Sequence, residues 1–375
     1  MTLDARKVYQ QLQQIVPDVS VRTDNERQIA AYVWAILINN TLLAQQAIAD
    51  AGGLLVPQWL GCLGTIQEIK SEINSYHIVS VDGSQIYPDR HQGIFCFLLN
   101  MGIVHIYYRS IGPGTVFLES IPSVHTQQTH EQEAITPEVV NTKRGALELQ
   151  TGYTYMSSIT MATCPALFIC DGSLIFWHLN PDNTPDKHEL IDSYLGILED
   201  FYTKKLLIAG YISFPKNKEL VNIIRSALEQ KLVVTDDHAN HRITYLTDSD
   251  ITALYLKPGT RSALFSHQSP VVSYYPKHLK PYFFYINNGL EIGRVEIPAW
   301  IALDEQLLTI VATIIFDQCV KGQGYPVALS EAHEQAVVKN ADRELFYHLL
   351  STVSQRTAPY ERQSQKSFKK RVIAI

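Results

Sequence analysis

The stretch Ile78–Arg90, IVSVDGSQIYPDR, decides how the rest of the chain is read. It opens as a short apolar run carrying the β-branched residues Ile78, Val79 and Val81, the pattern of a buried strand. The run ends on Asp82, and Gly83 and Ser84 are expected to break the strand there. The device is repeated: Ala166–Cys170 is a second apolar run, and it ends on Asp171-Gly172-Ser173. Two strands that both end in Asp-Gly-Ser could lie side by side and bring two carboxylates together, which is how a divalent-cation site for phosphodiester chemistry is made. Asp-Gly is also an ordinary turn pair at the end of a hairpin strand. Its recurrence after two apolar runs is what favours a site.

The chain has 375 residues, 46% of them hydrophobic and 18% charged. That is enough for one large domain or two closely packed ones. Mean hydropathy near zero and the lack of any low-complexity tract argue against disorder. The apolar stretch Ile29–Ile38 is too short to span a bilayer, and no basic segment with a cleavage site precedes it, so neither membrane insertion nor export is expected. Cys62, Cys96, Cys164, Cys170 and Cys319 contain no CxxC pair and read as reduced thiols of a cytoplasmic protein. A formal net charge of −6 means that any nucleic-acid binding must come from a local basic groove.

Residues 1 to about 72 read as helical. Thr23 and Glu26 fit a capping box, Asp18–Asn25 a turn before it, and Gly52-Gly53 a stop. From Tyr76 to about Ile212 the order is strand, strand, strand, helix, strand, helix, strand. Ile78–Val81, Gly93–Leu99 and Ile103–Tyr108 form an antiparallel meander, and His125–Glu133 a polar loop. Thr136, Pro137 and Glu138 are N-cap, N1 and first-turn acid of a helix to about Gln150. A second helix over roughly 187–202 leads to the strand Leu206–Ile212. This predicts an α/β fold with a mixed sheet flanked by helices, in the order of a ribonuclease-H-like core.

Between about 213 and 300, basic and aromatic residues interleave in Ser213–Lys216, Leu256–Ser262 and Phe283–Ile286. That pattern suits either a single-strand channel or a solvated rim with aromatic packing. Asp236, Asp237, His238 and His241 resemble a metal cluster but sit in a polar stretch that reads as a solvated loop. A helix over 304–320 ends near Gly322, and Gly322–Pro326 is a turn. Ser330 then caps a helix to about Leu350, on which Leu329, Ala332, Ala336 and Val337 form an inward stripe that includes His333. Taken alone, an inward histidine is a core residue.

Together these residues resemble the NurA family of DNA-end-processing nucleases, which work with the HerA hexameric ATPase. Asp82-Gly83-Ser84 is similar to the family's first acidic motif and Asp171-Gly172-Ser173 to its second strand acid. Glu148, in Arg144-Gly145-Ala146-Leu147-Glu148-Leu149, lies on the intervening helix where the family places a glutamate. Gly324–His333 resembles the closing motif, whose tyrosine and histidine correspond to Tyr325 and His333. Arg294–Pro298 and Gly259–Ser262 resemble secondary motifs, and Lys216, Arg261 and Arg294 are the residues assigned to DNA binding.

The resemblance implies a homodimer, dependence on Mn²⁺ or Mg²⁺ with two ions per site, and 5′–3′ exonuclease plus single-strand endonuclease activity. It also implies a helical region over 1–72, a nuclease domain over 73–350 with an insertion at about 213–300, and a tail over 351–375. The basic run Lys366–Arg371 in that tail suits either a partner or DNA, or is simply solvated. The residue chemistry is compatible: Asp82, Glu148 and Asp171 are hard oxygen ligands, and His333 could ligate Mn²⁺ or carry a proton. Tyr325 could orient the phosphate or stack a base. Two other classes stand beside this reading. An actin-like or sugar-kinase-like ATPase shares such a core, but its glycine-rich phosphate loops and a GxxxxGK[ST] loop are missing from the sequence. A non-catalytic adaptor of a DNA-bound ATPase would not need all five candidate site residues.

Overall fold

The structure, a computed structural model, describes residues 3–69, 73–88, 96–126, 136–159, 164–177, 185–233 and 243–357. Along the chain come α1 (Ala5–Asn39), α2 (Thr41–Ala49), β1 (Gln58–Trp59), β2 (Ile66–Glu68), β3 (Tyr76–Ile86), β4 (Cys96–Tyr108) and β5 (Thr115–Thr126). Next are α3 (Pro137–Ser158), β6 (Ala166–Asp171), α4 (Pro185–Thr203), β7 (Leu207–Ser213), α5 (Glu219–Glu229) and α6 (Asp248–Ala253). The remainder is β8 (Thr260–Ser262), β9 (Phe265–Ser266), β10 (Pro281–Asn287), β11 (Ile292–Pro298), α7 (Ala299–Ala302), α8 (Glu305–Lys321), α9 (Val327–Ala336) and α10 (Asn340–Thr357). Among the described residues no helix is long and apolar enough to cross a membrane.

Two compact units result. The first comprises Met1–Glu72, Gly172–Ile175 and Ala209–Tyr325, and the second Ile73–Asp171, Phe176–Ile208 and Pro326–Ile375. In the second unit β3 runs antiparallel to β4, β4 antiparallel to β5, and β6 parallel to β3, so the strand order is β6-β3-β4-β5. This is the mixed sheet flanked by helices that the sequence predicts, and its order is compatible with a ribonuclease-H-like core. Ile78, Val79 and Val81 of β3 and Leu167, Phe168 and Ile169 of β6 are buried, as short apolar runs in a covered sheet should be.

The order of elements over residues 76–213 is as expected, but two strand boundaries are not. β3 does not break at Gly83-Ser84: the pairing continues, Gly83 with Met101 and Ser84 with Asn100, out to Ile86. The two short strands expected at 93–99 and 103–108 are one strand, β4, because the Asn100-Met101-Gly102 segment stays paired with β3. The third strand of the meander is instead β5, which reaches into the expected polar loop. β5 is mostly exposed on both faces, so it carries no clear apolar alternation to betray it.

The first unit has the strand order β1-β9-β10-β11-β7, with β8 pairing both β10 and β2. Its core gathers Trp34 and Leu37 of α1, Leu220 and Ile224 of α5, Ile251 of α6 and Phe283 and Tyr285 of β10. The turn expected at Asp18–Asn25 is absent, since α1 passes through it unbroken. Thr23 donates its hydroxyl to the Val19 carbonyl within the helix, and Glu26 accepts from the Thr244 and Tyr245 N–H groups instead of capping. α2 does end before Gly52 and Gly53, whose φ values of 58° and 87° suit glycine. α5, with Leu220, Val221, Ile223, Ile224 and Ala227 buried, is a helix inside a stretch read as loops and short strands.

Candidate active site

Successive side chains of a strand point to opposite faces, so Asp82 and Gly83 present themselves to different layers. On the Asp82 face lies α9, which begins directly after Pro326 rather than at Ser330 and stops at Ala336 rather than continuing to 350. Its placement is set by Gly102, the cross-strand partner of Asp82. A Cβ there would fall 2.3 Å from the Ala336 nitrogen and 2.4 Å from the Ala332 oxygen, so the glycine lets the helix backbone rest on β4. The Ala336 carbonyl accepts from Ser84 Oγ and, at 2.8 Å, from Asn100 Nδ2. Anchored in this way, α9 brings His333 Nδ1 to 2.9 Å from Asp82 Oδ2. The His333 side chain is 63% exposed, so the inward position read from the helical stripe is corrected. Its ring rests on the carboxylate and opens to solvent.

Asp171 reaches the same place from the neighbouring strand. β3 and β6 are parallel with Ser80 paired to Ile169. The pairing ends there; Asp82 and Asp171 each lie two residues further along their strands, and both act electrostatically on Glu148. Asp171 ends its strand as expected, whereas Asp82 sits inside one.

The opposite face supplies Glu148. A Cβ on Gly83 would lie 2.6 Å from Glu148 Oε1 and 2.7 Å from Arg144 Cγ, so the glycine of the first Asp-Gly-Ser opens the sheet to α3. Arg144 Nη1 donates to the Gly83 carbonyl at 3.1 Å and to Gln85 Oε1 at 3.2 Å, and its Nε lies 3.3 Å from Glu148 Oε1. The Glu148 carboxyl is pushed up to about 8 by burial, with Asp82 and Asp171 adding to the rise against the pull of Arg144 and the Gly83 backbone. Burial and the same acids, Glu148 and Asp171, also push the Cys170 thiol up, so it is not a thiolate.

This arrangement fits a hard divalent cation. The donors are carboxylate oxygens with one imidazole, Glu148 Oε1 is buried without a hydrogen-bond partner, and Asp82 and Asp171 raise the proton affinity of Glu148. Among the described residues no three His, Cys, Asp or Glu side chains are already drawn together tightly enough to hold an ion.

The other residues singled out in the sequence lie elsewhere. Tyr325 is the last residue of the first unit, half-buried and edge-on to Tyr211 at 5.9 Å. Lys216 is exposed. Arg294 is fully buried, with Nη1 2.6 Å from Glu219 Oε2 and Nε 3.0 Å from Glu296 Oε1, so its charge is spent inside the protein and a contact with DNA is ruled out. Arg261 is 7% exposed and donates to Gln67 and the Ser262 carbonyl, which corrects its assignment for the same reason. Phe283, Phe284, Tyr285 and Ile286 have no exposed surface, so they form a core strand rather than a stacking platform. Asp236, Asp237, His238, His241 and the tail Lys366–Arg371 lie outside the described residues. The sequence reading passed over Arg144 as a site residue. Its signal was present, a cation four residues before the candidate acid on one helix face.

The family model described as NurA domain matches residues 76–338. Three solved structures are similar over most of their length. One described as the crystal structure of NurA has 12% identity, covers 93% of this chain and 98% of that one, and gives a TM-score of 0.42. One of NurA with manganese has 11% identity, covers 93% and 99%, and gives 0.42. One of NurA bound to dAMP and manganese has 13% identity, covers 90% and 95%, and gives 0.37. A comparison with curated protein sequences finds no match.

Proposed function

The chain belongs to the NurA family, and from that premise we propose that it is a divalent-metal-dependent deoxyribonuclease that processes DNA ends, by 5′–3′ exonuclease and single-strand endonuclease cleavage. The observation that carries this reading is that Asp82 and Asp171, two residues beyond paired positions of adjacent parallel strands, both act on the buried Glu148 beside Gly83, with His333 against Asp82. Asp82, Glu148 and Asp171 would hold Mn²⁺ or Mg²⁺, as two ions, with His333 beside them. The bound cation supplies an acidified water and neutralises charge on the scissile phosphate.

The chain's own residues do the remaining work. Asp82 fixes the orientation of the His333 ring through Nδ1, leaving its exposed edge toward solvent, where it can take or give a proton at a water or leaving oxygen. The Gly102 contact and the bonds to Ala336 hold α9, and with it His333, against the sheet. Lys216 and Tyr325 are assigned to the DNA strand, the first as a phosphate contact and the second as a stacking or phosphate-orienting ring. A homodimer in the cytoplasm fed by a HerA-type hexameric ATPase completes the proposal.

The test is cleavage of end-labelled single-stranded and duplex DNA by the full chain with Mn²⁺, Mg²⁺ or EDTA. The reading expects product only with metal and none from Asp171→Asn. Intact DNA in every lane, or cleavage that persists in EDTA, would overturn it.

A further inference from the structure

We infer that Arg144 is a positioning residue, holding Glu148 at the candidate metal centre through a hydrogen-bonded ladder between α3 and β3. The inference rests on the metal-centre reading above and adds a residue that the reading does not require.

The ladder is built from two matched periodicities. Asn141, Arg144 and Glu148 stand at i, i+3 and i+7 on one face of α3. Gly83, Gln85 and Tyr87 stand at i, i+2 and i+4 along one face of β3 and its continuation. Arg144 Nη1 donates to the Gly83 carbonyl and to Gln85 Oε1, Gln85 Nε2 donates to the Tyr87 hydroxyl at 2.9 Å, and the Tyr87 hydroxyl donates to Asn141 Oδ1 at 2.8 Å. The path thus leaves α3 at Arg144, follows the strand and returns to α3 one turn earlier. Gly83 is what permits it, since a Cβ there would collide with both Arg144 Cγ and Glu148 Oε1.

How the guanidinium meets the carboxylate separates this from an ordinary helix-surface ion pair. Nε and Oε1 lie 3.3 Å apart, yet both remain without a hydrogen bond. Arg144 turns Nη1 to the strand, while its Nε faces Glu148 without a hydrogen bond and offers it charge alone. The carboxylate is therefore held in place with its oxygen uncommitted, the state a ligand needs before an ion arrives. Arginine suits this because its rigid planar fork can serve the strand with one nitrogen while another faces the acid. A lysine ammonium is a single point and cannot do both.

The test is Mn²⁺ binding by titration calorimetry on the full chain, with melting in EDTA on the same samples. The variants are Arg144→Gln, Arg144→Lys, Gln85→Leu and Asp82→Asn. Residues that orient a ligand from behind typically cost about 10–100-fold in affinity when replaced. Arg144→Gln should lie in that range, Arg144→Lys should lose nearly as much although it keeps the charge, and Gln85→Leu should lose less because the Arg144 bond to the Gly83 carbonyl remains. Metal-free melting of Arg144→Lys and Gln85→Leu should stay close to wild type, which separates positioning from folding. If Arg144→Gln does not fold, the other two carry the test. Wild-type affinity in Arg144→Lys and Gln85→Leu would overturn the inference while leaving the metal centre standing, provided Asp82→Asn has lost binding. A wild-type chain that binds no Mn²⁺ would overturn the metal centre and the positioning role with it.

Discussion

Each unit contains a group of three acids, and the two groups are satisfied in different ways. In the first unit, Glu219, Glu296 and Asp248 are almost fully buried, and each has matched donors. Arg294 reaches both glutamates, His267 Nδ1 lies 2.8 Å from Glu219 and its Nε2 3.3 Å from Glu296. Asp248 accepts from the Glu219, Leu220 and Val221 N–H groups and from the Tyr285 hydroxyl. Burial alone would raise both glutamates, but Arg294 and His267 outweigh it, so Glu219 is held well below the usual range and Glu296 at about 2, while burial and the neighbouring Glu219 raise Asp248 to about 6. In the second unit, Asp82 accepts from the Gly83 N–H and lies against His333, whereas Glu148 faces Arg144 without a hydrogen bond from it and rises to about 8. The number of acids does not distinguish scaffold from site. The distinction lies in Glu148, whose buried Oε1 has no hydrogen-bond donor, because a buried carboxylate oxygen left so is the one that calls for a cation.

The largest effect that could break the comparison is on turnover. Asp82→Asn or Asp171→Asn should abolish metal-dependent DNA cleavage while metal-free melting is unchanged or higher, since each removes repulsion. Full activity in either would place the centre elsewhere. Arg294→Met probes the other group and should cost about 3–5 kcal/mol of unfolding free energy by leaving buried carboxylates unpaired, read from denaturant curves. A variant as stable as wild type would show that the network is not balanced as described. Next in size is His333→Gln: a proton carrier typically contributes about 100-fold or more, so turnover should fall by that order with little change in melting. The exposed ring makes a core role untenable, and an equal loss of stability would contradict that.

The smallest effect is a difference of sign in the pH dependence of metal-free stability. Glu148 has its folded value near 8 against an ordinary 4.5, so it is protonated when folded and ionised when unfolded across that interval, and stability falls as pH rises from 4.5 to 8. Glu148→Gln should flatten that slope and raise melting at pH 8 by roughly a few degrees. Glu296, held near 2, acts the other way: its contribution is complete above 4.5 and is lost as pH falls from 4.5 toward 2. Melting curves in EDTA across pH 3–9 would show both slopes, and matching signs would remove the contrast.

Much of this was legible in the sequence. Two apolar runs ending in Asp-Gly-Ser located Asp82 and Asp171 on paired strands, and β3, α3, β6, α4 and β7 followed from periodicity and caps, whereas β5 did not. What misled were local signals overridden by pairing and packing. Gly83 read as a strand break and residues 100–102 as a gap between strands, yet Gly83 and Gly102 sit mid-strand with a helix against each, a relation between residues more than 50 positions apart in the chain. Arg261 and Arg294 read as DNA contacts because sequence carries charge but not burial. The whole of the matched network around Arg294 depends on contacts between distant segments, from Glu219 to Glu296, and no spacing announces it.

The central claim is tested most directly by soaking crystals of the full chain in Mn²⁺ and recording anomalous diffraction at the manganese edge. The account predicts peaks among the carboxylate oxygens of Asp82, Glu148 and Asp171, lost in Asp171→Asn, and none at the Glu219–His267–Glu296 group. No peak beside Asp82 and Asp171, or a peak in the Arg294 network instead, would contradict it.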